Sequence, residues 1–219
     1  HRAIVLENGV KLIDSDAKSA MDVYKKLVAN CYENGDENEK NGDRNVIENG
    51  DAGLVCQKCL VNPDATIYGD GRVEIVDYGV FDRNGVPVRL LFNNEPCSVW
   101  MKVMFKEDIE NPIFAFTMKD LKGMDITGTN SLYENAEPVR YFKGETAVVE
   151  FTQRLNMAPG QYLISLGCTG FQGDEFVVYK RLYDILCVEV ISYKKFVGLY
   201  DLKSDIKIKK IGKTTAQHG

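Results

Sequence analysis

Cys56 and Cys59 have the Cys-x-x-Cys spacing of half a tetrahedral zinc site or of a redox dithiol. A zinc site needs two further ligands. The chain has no second such pair, and its two histidines, His1 and His218, lie at its ends. Linker thiols are therefore the plainer reading, and no metal ligand is assigned. The scarcity of histidine also removes the usual general base for a serine or cysteine nucleophile, which nearly excludes triad chemistry. Gly212-Lys213-Thr214-Thr215 ends like a phosphate-binding loop, but such a loop needs glycine at position 207, where Lys207 stands. Gly69-Asp70-Gly71 opens like a dinucleotide fingerprint, yet Glu74 occupies the third glycine position and strand-like alternation follows. A tight turn accounts for it better. Carboxylates are plentiful but scattered at turns, so no acid/base pair is named. The residues assign no catalytic group and no cofactor.

Polar recognition is the chemistry that remains. Ile126-Thr127-Gly128-Thr129-Asn130-Ser131 is a small-residue edge segment rich in donors and acceptors; a turn capped by Thr and Asn side chains explains it without a ligand. Trp100, the one tryptophan, falls on the polar side of an alternating run beside Lys102. An aromatic ring on a polar face suits the C–H surface of a sugar, and an inter-sheet or dimer contact suits it as well.

The elements that would position these residues are strands. From about Thr66 the chain runs in short alternating segments over 72–81, 86–92, 98–105, 113–119, 146–152, 161–166, 175–179 and 184–191. Turn residues separate them, among them Arg83-Asn84-Gly85, Asn93-Asn94, Pro159-Gly160 and Gly170 to Asp174. Val99, Met101, Val103 and Phe105 should face one way and Ser98, Trp100, Lys102 and Met104 the other. Such spacing predicts a β-sandwich or barrel. Ahead of it, Ala3–Leu6 and Val10–Ile13 read as a hairpin around Glu7-Asn8-Gly9. Asp14-Ser15-Asp16 offers N-caps for a helix carrying Ala17, Met21, Tyr24 and Val28. That unit is too small to fold alone and should dock on something else. Lys203 onward is basic, with another alternating run at Ile206, Ile208 and Ile211.

The net charge of −5 is local: the segment Glu33 to Asp51 holds seven acids and two bases, leaving 25 of each among the other 200 residues. This Asn/Gly-rich segment cannot offset its ordering entropy by burial and reads as a self-repelling linker. The balanced remainder argues against nucleic acid as a partner. No run approaches the roughly 18 apolar residues of a membrane span. The six irregularly spaced cysteines read as reduced thiols of a cytosolic protein.

A resemblance joins these pieces. The ordered motifs Tyr68-Gly69-Asp70-Gly71-Arg72 with Val73-Glu74-Ile75, Pro112-Ile113-Phe114-Ala115-Phe116, Met118-Lys119-Asp120, Gly123 and Gly128-Thr129-Asn130-Ser131 resemble one family. So do Leu155-x-x-x-Pro159-Gly160-x-Tyr162 and Val188-Glu189-Val190. It is the Wzt-type C-terminal carbohydrate-binding domain of ABC-transporter ATPases that export O-antigen and related cell-surface polysaccharides. The run Arg2 to Val10 and the helix ending near Tyr24 resemble the end of an ABC ATP-binding domain.

The resemblance implies a mainly β chain: an immunoglobulin-like antiparallel β-sandwich of about eight strands, preceded by a small β-hairpin plus helix. Its divisions are 1–32, the remnant of the ATP-binding domain; 33–65, the acidic linker; 66–192, the sandwich; and 193–219, a basic tail with one extra strand. It also implies a homodimer with exchanged C-terminal strands. The domain would bind a glycan (O-antigen, teichoic acid or similar), often at its modified non-reducing end, before export. The chain would be a C-terminal fragment without catalytic activity. ATP and Mg would act in the absent ATPase domain, and an ABC permease subunit would join through the full-length protein. The location would be cytoplasmic, peripheral to the inner face of the membrane, without direct insertion. Outward strand positions mark Trp100, Lys102, Thr117 and Lys119 as candidate carbohydrate-binding residues, with Thr129, Asn130 and the loop residue Tyr133 beside them. A structural or dimerisation module without sugar binding is the alternative, and an independent glycosidase or esterase a third reading.

Overall fold

Branched and aromatic residues alternating with polar ones favour half-buried strands, and that pattern governs most of the chain. The computed structural model describes residues 2–7, 9–16, 20, 55 and 61–210. Its strands are β1 (Arg2–Glu7), β2 (Val10–Asp16), β3 (Thr66–Tyr68), β4 (Val73–Asp82), β5 (Leu90–Phe92), β6 (Pro96–Phe105) and β7 (Ile109–Glu110). They continue with β8 (Ile113–Asp120), β9 (Asp125–Asn130), β10 (Arg140–Tyr141), β11 (Thr146–Arg154), β12 (Gly160–Gln172) and β13 (Glu175–Ile191).

β1 and β2 make the expected hairpin, turned at Gly9. Asp14-Ser15-Asp16, read as helix caps, instead belong to β2. The Arg2 guanidinium donates to both Asp14 carboxylate oxygens at 2.5 and 2.7 Å, which engages Asp14 across the hairpin. Of the helix read over Ala17–Val28, only Ala20 is described; it is helical and buried. The acidic segment Glu33 to Asp51, the Cys56/Cys59 pair and the Gly212-Lys213-Thr214-Thr215 run lie outside the described residues; of the linker read over 33–65, only Val55 and residues 61–65 are described.

Residues 66–191 build two main sheets and a small two-stranded ladder of β7 with β10. One main sheet has three strands in the order β11-β6-β4; the larger runs β3-β13-β12-β8-β9, with β5 lying parallel beside β13. All other pairings among the described strands are antiparallel. Val99, Met101, Val103 and Phe105 of β6 are buried, as the alternation predicts, and Phe114, Phe116 and Met118 of β8 meet them from the other sheet. Aromatic rings close the gap. Phe105 stacks on Tyr141 at 4.3 Å and meets Phe114 edge-on at 6.5 Å, while Phe116 packs on Phe151 at 5.1 Å.

Three expectations change. The strands read over 175–179 and 184–191 are one 17-residue strand, β13. Its polar middle, Lys180-Arg181, breaks the apolar pattern but not the ladder, because bulges at Ile164/Leu166 and Cys168/Thr169 let β12 and β13 stay paired. The strand read over 86–92 shrinks to Leu90–Phe92, since Pro87 supplies no ladder N–H. The extra strand read after Lys203 is absent as far as Lys210, and Ile206 and Ile208 stand exposed.

The Gly69 motif is structural. A side chain there would put its Cβ 2.3 Å from the Tyr179 carbonyl oxygen, at a φ of +148°. Arg72 then pairs with Asp70 at 2.6 Å and lies 4.7 Å over the Tyr179 ring. The turn thus clasps β13 rather than a nucleotide.

Candidate functional site

In a sandwich the inward residues fill the core, so ligand contacts must come from outward residues, loops or edges. The register defines the outward face of the larger sheet. Thr117 of β8 stands opposite Gly128 of β9 and Ser165 of β12, and Ala115 stands opposite Asn130 and Gly167. Gly167 stands opposite Arg181 of β13, which stands opposite Tyr68 of β3. Small residues therefore occupy the middle of this face, and long ones, Lys119, Arg181 and Tyr183, rise around it.

The long side chains are held. Lys119 Nζ lies 2.6 Å from Asp184 Oδ2 and 4.3 Å from the centre of the Tyr183 ring. Asp184 sits where the β12–β13 ladder bulges, at a φ of +58° that aspartate tolerates better than most residues. Its N–H donates to Ser165 Oγ at 2.8 Å, the Ser165 hydroxyl returns to Asp184 Oδ1 at 3.2 Å, and its carbonyl accepts from Asn62 Nδ2 at 2.9 Å. Ser165 is itself buried, so this exchange satisfies a polar pair on the floor of the face. Arg181 lies flat across Gly167; a Cβ on Gly167 would approach its Cδ to 3.3 Å. Its guanidinium carbon is 5.8 Å from the Tyr183 ring centre, and its Nε is buried without a hydrogen-bond partner. The result is a shallow polar floor with two cations, one carboxylate and two exposed tyrosines. That arrangement can hydrogen-bond hydroxyls, stack on sugar C–H faces and attract an anion.

The sequence-predicted residues do not form one site. Thr117 and Lys119 lie on this face, and Asn130 is placed there at the edge. Trp100 and Lys102 are outward too, but on the three-stranded sheet, at the opposite side of the sandwich. Strand parity was right for all four and could not say which sheet each joined. Trp100 is half-buried against Phe81, edge to face at 6.0 Å, between Gly79 and Glu150. Near Lys102 that face is already in use, for the Val55 N–H donates to Asp77 Oδ2 at 2.9 Å and Asp77 stands opposite Lys102 in the β4–β6 ladder. Thr129 pairs with the inward Phe116, and its hydroxyl donates to Glu134 Oε1 at 2.5 Å. Asn130 Oδ1 caps the Tyr133 N–H at 2.8 Å, while the Tyr133 ring stands in solvent. These side chains do turn-capping work. Sequence reasoning missed Ser165, Gly167, Arg181, Tyr183 and Asp184. The signal was the charged interruption from Lys180 to Asp184 in an otherwise apolar run, of which 180–183 were read as a break between strands and Asp184 as the start of the next.

Among the described residues, no cluster of three His, Cys, Asp or Glu side chains could hold a metal, and no helix is long and apolar enough to cross a membrane. The buried thiols are unreactive in character: burial pushes Cys97 up to about 11 and Cys168 further.

No curated protein matches the chain. Among solved structures, a crystal structure of the C-terminal domain of Wzt aligns with a TM-score of 0.66 at 26% identity, covering 71% of this chain and 95% of its own. An alkylpurine DNA glycosylase, AlkC from Pseudomonas fluorescens, covers 55% of this chain and 30% of its own at 9% identity, with a TM-score of only 0.35. A β-glucosidase from Listeria innocua covers 58% and 16% at 13% identity, with a TM-score of 0.31. Those two likenesses are too loose to bear on function. The Wzt C-terminal domain family matches residues 64–202, which span both sheets and the exposed face described above. By that match the chain belongs to the Wzt C-terminal domain family.

Proposed function

We propose that this domain recognises a cell-surface glycan for export, at the outward face of its larger sheet. Family membership connects the chain to the ATP-binding subunit of ABC transporters that export polysaccharide. The domain supplies no catalytic step in this reading; ATP and Mg act in an ATP-binding domain, and the permease subunit carries the polymer. The glycan, whether O-antigen, teichoic acid or another polymer, is met on the cytoplasmic side of the membrane. The observation carrying the proposal is the small-residue floor of Ala115, Thr117, Gly128, Ser165 and Gly167, rimmed by Lys119, Arg181 and Tyr183. A flat polar floor beside aromatic rings accepts a sugar ring without desolvating an apolar cleft, and affinities at such open sites are modest, about micromolar to millimolar. Titration of the full chain with the purified surface polysaccharide of its source organism should shift amide resonances at 115–119, 165–167 and 181–184. Shifts confined to 98–104, or none, refute this placement.

A dimeric assembly rests on a different observation. Leu202, Ile206 and Ile208 are 81%, 80% and 90% exposed on a chain segment that joins no β-ladder beyond Asp201 among the described residues. Alternating Ile and Lys, exposed and outside any ladder, suit pairing as a strand with a second copy of this chain. The Ile206→Asp/Ile208→Asp double variant should sediment as a monomer where the parent is a dimer. If the domain dimerises but the polysaccharide titration stays silent, the dimerisation-module reading takes its place.

A further inference from the structure

We infer that the folded domain begins upstream of the family match, at Val55, and that the chain entering it docks on both sheets at the open side of the sandwich. The family match starts at residue 64, and the sequence reads as one linker over 33–65. Val55 is not placed as a linker residue. Its side chain is buried in the same core as Val73 and Ile75 of β4 and Leu186 and Val188 of β13, and its N–H donates to Asp77 Oδ2 at 2.9 Å. Asp77 is 6% exposed, and its other carboxylate oxygen accepts the Tyr78 N–H at 2.9 Å. Taking a donor away from a buried carboxylate is costly, because the charge stays behind. The Val55 backbone is thus held by β4 while its side chain fills the gap beside it.

A second anchor lies six positions further on, at the other sheet. Val61 bridges Leu186 of β13, the Asn62 N–H donates to the Ile185 carbonyl at 2.9 Å, and Asn62 Nδ2 donates to the Asp184 carbonyl at 2.9 Å. Asn62 Oδ1 accepts from the Asp64 N–H at 3.1 Å and its carbonyl from the Ala65 N–H at 3.3 Å, which turns the chain into β3. β4 and β13 are neighbours across the gap here, since Lys180 Nζ reaches Glu74 at 2.8 Å. Packed sheets lie about 10 Å apart and six residues reach up to about 20 Å, so one short crossing joins the two anchors. The occupant of the open side is therefore this chain's own lead-in. The anchorage also decides where a pull on the acidic segment is taken up. A tether joined only to β3 would peel a three-residue edge strand off β13 bond by bond. One held at Asp77 passes its pull to β4, a ten-residue strand paired along its length with β6. No ligand enters this inference, so it stands apart from the glycan reading.

Hydrogen exchange of the full chain, followed amide by amide, tests the docking. After correction for intrinsic rates, the Val55 and Asn62 amides should exchange about a hundredfold or more slowly than those of Glu33 to Asp51. Asp77→Ala should bring Val55 to the level of the acidic segment. Asp77→Asn, whose side-chain oxygen still accepts, should keep part of the protection. Amides of the β6–β11 ladder should stay protected in both variants, which separates release of the anchor from unfolding. If Asp77→Ala does not fold, Val55→Pro carries the comparison, because it removes the donor and leaves Asp77 in place. Limited trypsin digestion then gives the readout. Lys58, between the anchors in sequence, should be cut more slowly than Lys40 and Arg44 in the parent and about as fast as they are in Val55→Pro. Either amide exchanging as fast as the acidic segment in the parent, or Val55 unchanged in Asp77→Ala, overturns the inference. So does a parent chain in which trypsin cuts Lys58 as readily as Lys40.

Discussion

Two glycines on the candidate face should respond oppositely to the same added methyl group. Neither Gly128 nor Gly167 has a left-handed φ, so alanine is allowed by the backbone at both. At Gly167 the new Cβ meets Arg181 Cδ at 3.3 Å, an atom on a flexible side chain that can shift by a few tenths of an ångström. Replacing glycine also removes unfolded-state freedom, which stabilises by about 0.4–1 kcal/mol where the conformation is compatible. Gly167→Ala should therefore stay within about 1 kcal/mol of the parent, with the gain and the Arg181 displacement partly cancelling. At Gly128 the Cβ would lie 2.7 Å from the Phe116 carbonyl oxygen and 3.0 Å from Thr117 Cα. Backbone atoms cannot step aside without moving β8 or β9, an overpacking cost of about 1–3 kcal/mol. Urea unfolding of the two variants, fitted with a common m-value, reads the difference directly. The side-chain resonances of Arg181 should move in Gly167→Ala and not in Gly128→Ala. A Gly128→Ala variant as stable as the parent, or a Gly167→Ala loss above about 2 kcal/mol, would falsify the β9-β8-β12-β13 register from which the face is built.

Other consequences are open to direct measurement. Phe105→Ala should cost about 3–5 kcal/mol in denaturant unfolding, since Phe105 is wholly buried and stacked on Tyr141; a loss under about 1 kcal/mol contradicts that packing. Asp201 is held below its ordinary value of 3.8 by the Lys194 ammonium and then the Lys203 N–H. A depressed carboxyl stabilises above the ordinary carboxylate range and loses that contribution as pH falls through its folded value. The protection factors of the amides at 194–203, corrected for the intrinsic pH dependence of exchange, should accordingly fall as pH drops below the ordinary carboxylate range, and unchanged protection refutes the tether. Mass-spectrometric thiol labelling of the folded chain should modify Cys187 before Cys97 and Cys168, the buried thiols among the described residues; equal rates would show that the core opens freely.

The sandwich was legible because its determinants are local. Alternation in β6, β8 and β11 located the buried residues, and turn chemistry at Asn84-Gly85, with Gly85 at a φ of +73°, ended strands where they end. Legibility failed where a tertiary partner overrode the local signal. The polar middle of β13 is a strand because β12 bulges to match it, and Asp14 is in a strand because Arg2 reaches it across the hairpin. The exposed tail gave the opposite failure: alternation at Ile206 and Ile208 promised a strand, and no strand edge among the described residues takes it.

For the site, the sequence alone determined which way each side chain points from its own strand. Side-chain parity repeats every two residues, so it placed Trp100, Lys102, Thr117 and Lys119 outward without knowledge of any partner. It could not determine who stands beside whom. Trp100 and Thr117 proved to be on opposite faces, while Lys119, Ser165, Arg181 and Asp184, up to 65 positions apart, came to one. Which strands pair, and in what register, is settled by the packing of two inner faces against each other. That packing is a property of the whole chain, so the ligand-facing surface became visible only in the folded sandwich.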